Sequence, residues 1–167
     1  MAPLLTIEPG IVVFSFLGGL LPTLFWLWFW LNEDRTHPEP RKLIILTFLL
    51  GMASTIPAFF IERSIQALLT TEWLAYALGG AISLTVIKII LWSLTEEGVK
   101  FLAASLGAFR SKEFDEPVDA MIYLITAALG FSALENTFFL IDMLQDSTVA
   151  EGIITGNFRF IGATLLH

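Results

Sequence analysis

The sequence predicts an all-α protein, a polytopic transmembrane helix bundle with about five spans in this chain. The first observation is composition: hydrophobic residues make up 56% of the 167 residues and charged residues only 15%, whereas soluble domains carry about 25% charged residues. The second is that the apolar residues form long runs, and about 20 such residues are needed to cross the hydrocarbon core. We therefore expect a single integral membrane domain over residues 1–167.

The apolar runs locate the elements in order. They predict spans at about 11–31, 43–61, 82–108 and 118–141, with a fifth segment that begins near 153 or 158. The stretch 73–109 is too long for one straight crossing, so a re-entrant or interfacial piece is expected before a break at Gly79-Gly80. Residues 62–72 predict a polar connection. The fifth segment stops at His167, about ten residues short of a crossing, so we expect a truncated last span and a native domain that continues.

Charge sets the expected orientation and excludes some functions. Arg and Lys concentrate in the connections 32–42 and 110–117, so the positive-inside rule places both in the cytoplasm and the N-terminus outside. The chain has 9 basic and 16 acidic residues and a net charge of −7, so no nucleic-acid partner is expected. It has no cysteine, which excludes disulfides and thiolate chemistry.

Three charges occur together inside the third apolar span, in the segment EEGVK. Glu96 and Lys100 are four residues apart and Glu97 and Lys100 three apart, so Lys100 can pair with either carboxylate. Since Lys100 can balance only one of the two carboxylates, the other is left for another task. Charges in a membrane helix cost several kcal/mol unless they are paired or hydrated. A structural ion pair that holds helices together explains the same residues.

Two further polar groups lie inside the apolar segments. Glu135 and Asn136 lie in the fourth span, where Phe131 shares a helical face with Glu135. A structural hydrogen bond between helices also explains such polar residues. Arg159 and His167 lie two turns apart in the last segment, where a membrane histidine can be a packing residue.

These groups can meet at one depth. Helical rise puts Glu97 and Glu135 within about 7 Å of the same level, with His167 near mid-membrane. Carboxylates and an imidazole can activate water as general bases. They can equally hold a Zn²⁺ ion with an open position, in which case Glu97, Glu135 and His167 would be its ligands.

The motifs, taken in order, resemble a known family. EEGVK matches EExxK, FSALEN matches FxxxEN, DEPVDAMIYL precedes the second motif, and an Arg…His segment follows it. The region from Thr95 to His167 thereby resembles the PrsW family of intramembrane proteases, which is distantly similar to the CAAX prenyl endopeptidase and bacteriocin-immunity (ABI) membrane proteins.

The resemblance implies a function and a site. It implies a multi-pass endopeptidase of a bacterial or archaeal cell membrane, which cuts a membrane-anchored protein substrate of the anti-sigma-factor type. The residues that match the family motifs are expected to form the site, with Glu96, Glu97, Glu135 and His167 catalytic and with Lys100, Phe131, Asn136 and Arg159 supporting or orienting them. In the related CAAX enzymes the third motif continues with a polar residue four places after the histidine.

The expected mechanism is attack by an activated water. Glu97 or Glu96 would deprotonate a water that Glu135 or His167 helps to hold, and Asn136 or His167 would stabilise the oxyanion. Lys100 would keep one glutamate ionised. The family has been treated as metal-dependent and its CAAX relatives as metal-free. The chain has no HExxH segment, and we favour metal-free chemistry, with Zn²⁺ as the alternative.

Three other interpretations stay open. A proton- or ion-coupled transporter also needs intramembrane charges, although no inverted repeat is visible. A non-catalytic CAAX/ABI-like membrane protein would keep the fold without the chemistry. Finally, Asp115, Glu116, Pro117 and Asp119 resemble the family pattern, but we favour a helix start in which Asp115 is the N-cap.

Overall fold

The computed structural model describes residues 8–33, 38–71 and 84–146 of the protein. Four long helices account for most of these residues. They are α1 (Pro9–Glu33), α2 (Arg41–Leu69), α3 (Leu84–Gly107) and α4 (Pro117–Asp146). Since the described ranges contain helices and no strand, the all-α prediction is confirmed for them.

Three of these helices are long and apolar enough to cross a membrane. They are α1 over Pro9–Asn32, α2 over Arg41–Leu69 and α4 over Pro117–Gln145. The third helix is interrupted by charged side chains and does not meet the same standard. The prediction of about five spans is therefore not confirmed. The expected re-entrant piece before residue 84 and the fifth, truncated segment lie outside the described residues.

The second helix is longer than the sequence indicated. Residues 62–72 were expected to connect two spans, but α2 continues without a break to Leu69 and ends where the Thr70 amide donates to the Gln66 carbonyl at 3.2 Å. The segment ERSIQALL contains no Gly or Pro, and nothing in it interrupts the helical hydrogen-bond ladder. Its charged residues, Glu62 and Arg63, therefore lie on a helix.

The fourth helix is the centre of the described bundle. Its apolar stretch is 61% buried, against 33% for α2 and 17% for α1. It packs extensively against α1 on one side and α2 on another, and α2 also packs against α3. The contact between α3 and α4 is the sparsest of these pairs, which leaves room for a cleft between them.

Two glycines bring the backbones of α2 and α4 unusually close together. A Cβ atom at Gly51 would collide with the backbone of Ala127, and one at Gly130 would collide with the backbone of Phe48. Small residues at a membrane helix interface allow this kind of approach. Residues that follow on the same faces of both helices are consequently held near one another.

The start of α4 is anchored by a carboxylate and a phenol. The Asp119 carboxylate accepts hydrogen bonds from the backbone amides of Asp115 at 3.0 Å and Glu116 at 2.9 Å. The expectation that Asp115 caps this helix is wrong, because an acidic residue inside the first turn reaches back instead, as in a capping box. One turn later the hydroxyl of the fully buried Tyr123 donates to Glu39, which precedes α2.

Candidate active site within the helix bundle

The site is organised around a buried lysine on α3. Lys100 is only 3% exposed, and its ammonium lies 2.9 Å from Glu97 Oε1 and 3.5 Å from Glu96 Oε2. Helical spacing allowed either pair, and the structure shows both. A buried ammonium is costly unless carboxylates surround it, so the EEGVK segment forms a self-paired cluster on one helix.

The lysine also joins the EEGVK segment to the FSALEN segment. Its ammonium lies 4.8 Å from the centre of the Phe131 ring on α4, a distance at which the face of an aromatic ring attracts a cation. Phe131 is itself almost fully buried. The two sequence motifs are thus in direct contact across the interface between α3 and α4.

Beside the charged residues lies a small apolar cluster to which three helices contribute one residue each. Its members are Ala58 of α2, Val99 of α3 and Phe131 of α4. The hydroxyl of Thr55, one turn earlier on α2, donates to the Phe131 carbonyl at 3.3 Å. This cluster fixes the register of the three helices immediately beside the charged residues.

One turn beyond the apolar cluster, each helix contributes a glutamate. Glu62 follows Ala58 by four residues, Glu135 follows Phe131 by four, and Glu96 precedes Val99 by three. Each is partly buried. Glu62 lies within electrostatic range of Glu96, Glu135 and Lys100. Glu62 of α2 is therefore in the same region of the bundle as charged side chains of α3 and α4.

Glu62 is the residue that sequence reasoning missed. It was assigned to a polar connection because it ends an apolar run, whereas the structure places it inside α2. A signal was present: Thr55, Ala58 and Glu62 are spaced by three and four residues and share one helical face. The family motifs do not include this position.

The two glutamates of EEGVK face different surroundings. The side chain of Glu96 is 25% exposed, and that of Glu97 is 69% exposed. Glu97 stands at a cleft of about 370 Å³ between α3 and α4. The cleft is lined by Glu97, Lys100, Phe101, Leu124, Ile125 and Ala128. Its walls are thus mainly apolar, with one carboxylate and one ammonium as polar groups.

The remaining expected site residues are Asn136, Arg159 and His167. Asn136 is buried in α4, and its Nδ2 donates to Ser132 Oγ at 3.1 Å on the same helix. Arg159 and His167 lie outside the described residues. The structure therefore brings together Glu96, Lys100, Phe131 and Glu62 with Glu135 in range, and it places Glu97 at the open edge of the group.

Long apolar helices around a cluster of ionisable side chains define an integral membrane protein with a polar site inside its helix bundle. Proteases, transporters and scaffolds of the membrane share that description. Residues 39–167 match the model of a family described as PrsW family intramembrane metalloprotease. The chain belongs to the PrsW family.

Curated relatives agree with this assignment. The chain is 27% identical over 137 residues to Protease PrsW of Geobacillus kaustophilus (strain HTA426), which covers 82% of the chain and 56% of that relative. It is 27% identical over 138 residues to Protease PrsW of Clostridioides difficile (strain 630), with 83% and 55% covered. The Bacillus subtilis (strain 168) protein of the same name is 27% identical over 124 residues, with 74% and 52% covered.

The comparisons cover only part of each relative. The chain spans about half the length of the curated relatives it matches. No solved structure matches the chain significantly.

The family description implies a metal ion, and such an ion needs several nitrogen, oxygen or sulfur donors around one point. Among the described side chains, no three from His, Cys, Asp and Glu are placed to hold one ion. Of the expected ligand set, Glu97 is mostly exposed and paired with Lys100, and His167 lies outside the described residues. The described residues therefore do not form a metal site by themselves.

Proposed function

We propose that the protein is an intramembrane endopeptidase that hydrolyses a membrane-anchored protein substrate, in regulated proteolysis of the anti-sigma-factor type. The observation that carries the proposal is the contact between the two family motifs: Lys100 pairs with Glu96 and Glu97 and lies over the ring of Phe131. The relatives named proteases are bacterial proteins, which supports a bacterial cell membrane as its location.

The substrate would enter the cleft between α3 and α4. Leu124, Ile125 and Ala128 provide an apolar wall, which suits an extended, apolar segment of a membrane protein. At one end of the cleft, Glu97 is accessible while Lys100 is buried behind it. A substrate carbonyl in this cleft would lie beside a carboxylate and within the field of an ammonium group.

In the proposed mechanism Glu97 is the general base. Its carboxylate takes a proton from a water molecule as the water oxygen attacks the peptide carbonyl, and the proton later goes to the leaving amine. Lys100 orients Glu97 through the 2.9 Å contact. Glu96, Glu135 and His167 complete the set, and the amide of Asn136 or the imidazole of His167 would stabilise the oxyanion.

Cleavage of a reporter tests the proposal. A single-pass membrane substrate with a tag on each side is co-expressed with the protein as its cell makes it, and the products are separated by immunoblotting. Glu97→Gln, Glu135→Gln and His167→Ala should each lower cleavage by about 100-fold or more, the usual loss when a general acid or base is removed. The exposed loop variant Glu113→Gln is the matched control. Full cleavage by all three site variants would refute the proposal.

The same variants decide the metal question. A Zn²⁺ ion held by Glu97, Glu135 and His167 would be lost from the purified protein when any of the three is replaced. Metal content measured on the wild type and on His167→Ala distinguishes the two cases. Equal content in both, with cleavage lost only in the variant, would support the metal-free reaction.

An ion- or proton-coupled transporter is the second candidate, because several carboxylates share one lysine inside the bundle. It predicts flux into vesicles that depends on Glu62, Glu96 and Glu135 and no substrate cleavage. Reconstitution of the purified protein in proteoliposomes measures this flux directly. Cleavage without flux would exclude this candidate.

A further inference from the structure

The face of α2 that meets the site carries a carboxylate at its end. Thr55 donates to the Phe131 carbonyl, and Ala58 packs against Val99 and Phe131. Glu62 follows at the same helical spacing, so its Cα lies on the same stripe. The packing of α2 against α3 and α4 therefore determines where this carboxylate lies.

The register of α2 and α4 brings Glu62 towards Glu135. Gly51 approaches Ala127, and four residues later on each helix Thr55 donates to the Phe131 carbonyl. The two helices are therefore parallel and in matched register at this interface. Four more residues on each helix, about 6 Å of rise, lead from Ala58 and Phe131 to Glu62 and Glu135. The electrostatic influence of Glu135 on Glu62 agrees with this register.

The charges around Lys100 are strongly unbalanced. Four glutamates contribute −4 when ionised and Lys100 contributes +1, which gives −3 for the cluster of Glu62, Glu96, Glu97, Glu135 and Lys100. Such an excess inside a membrane protein is expensive. A carboxylate placed there from a third helix is hard to explain by packing alone.

We propose that Glu62 is a positioning residue of the site, which holds the Lys100 ammonium on the inner side of the helix interface. The inference rests on the endopeptidase function proposed above. A lysine ammonium is a compact charge on a flexible stem, so the carboxylates around it decide where it lies. Glu62, Glu96 and Glu135 attract it inwards, and Glu97 attracts it towards the cleft.

The balance between these attractions determines where Lys100 holds the carboxylate of the general base, Glu97. Without the Glu62 charge, the ammonium shifts from the position in which it contacts both Glu96 and Glu97. The contact that orients Glu97 is then disturbed, and its carboxylate is displaced from the water whose proton it accepts. The reaction slows, whereas the apolar wall that binds substrate is unchanged.

Kinetics of Glu62 variants test this role. Glu62→Gln keeps the shape of the side chain and removes its charge, so kcat should fall about 10- to 100-fold, as for other small displacements of reacting groups, while KM stays the same. Glu62→Asp keeps the charge and should recover part of the rate. Arg63→Gln, on the exposed face of the same turn, is the matched control and should cleave normally. A normal kcat for Glu62→Gln overturns the inference.

Cross-linking tests the placement of Glu62 without any activity. The chain contains no cysteine, so introduced pairs can be studied in membranes with a short bifunctional thiol reagent. Glu62→Cys should cross-link to Glu96→Cys and to Glu135→Cys, whereas Arg63→Cys should not cross-link to Glu96→Cys. Failure of both Glu62 pairs to cross-link overturns the inference.

The two measurements separate the inference from the function on which it rests. If the wild type cleaves substrate but Glu62→Gln is unimpaired, only the role of Glu62 is refuted. If the wild type cleaves nothing, the endopeptidase proposal fails and the kinetic role of Glu62 fails with it. The cross-links then still decide whether Glu62 belongs to the charged cluster.

Discussion

The phenol of Tyr123 should stabilise the bundle by an amount that one substitution can measure. Tyr123 is 0% exposed and donates its hydroxyl to Glu39, so it ties the start of α4 to the residues that precede α2. Tyr123→Phe removes only the hydroxyl oxygen and keeps the buried ring. A hydrogen bond to a charged group contributes about 1.5–3 kcal/mol. Because Glu39 is only half-buried and water can replace the phenol, we expect the lower value, about 1.5 kcal/mol.

That loss corresponds to a measurable change in melting temperature. For a chain of this length each kcal/mol shifts the Tm by about 2–4 °C, so Tyr123→Phe should melt about 3–6 °C lower. Thermal unfolding in detergent, followed by circular dichroism, gives the Tm of the wild type, Tyr123→Phe, Glu39→Ala and the double variant. The double variant should lose less stability than the sum of the two single variants, since both remove the same bond. Strictly additive losses, or no loss in Tyr123→Phe, would refute the argument.

Two other substitutions test the packing and the charge cluster by the same thermal measurement. Gly51→Ala places a Cβ against the Ala127 backbone and should destabilise the protein by about 1–3 kcal/mol, whereas Gly98→Ala, which meets open space, should leave the Tm unchanged or raise it. Lys100→Met removes the partner of two carboxylates and should cost about 3 kcal/mol, the low end for a buried pair because Glu97 is 69% exposed. A Lys100→Met protein as stable as the wild type would show that the ion pairs contribute no net stability.

The sequence predicted the helices well where a single segment carries the pattern. A helix was expected at about 82–108 and covers Leu84–Gly107, although it is not one of the three helices that are long and apolar enough to cross a membrane. The pairing partners of Lys100 also followed from helical spacing, because residues three and four apart are neighbours on any helix. In these cases the information is local, and one segment contains all of it.

The residues that sequence reasoning placed wrongly depend on contacts between segments. Glu62 looked like the end of a span because it follows an apolar run, and only the packing of Ala58 against Val99 and Phe131 shows that its face of α2 points into the bundle. Asp115 looked like an N-cap, but the carboxylate that binds the free amides comes from Asp119. A hydropathy profile cannot distinguish a glutamate that ends a helix from one that meets other helices.

The charges that make α3 a poor membrane span also explain its place in the bundle. Lipid cannot solvate the ammonium of Lys100, so the helix requires partners that supply carboxylates and an aromatic ring. Phe131 supplies the ring, and Glu62 and Glu135 bring charge from α2 and α4. Charged residues that would be unfavourable in an isolated membrane helix are tolerated at a polar site because neighbouring helices supply their partners. The helix that carries EEGVK therefore depends on its neighbours for stability and, in the function proposed here, for the position of its catalytic base.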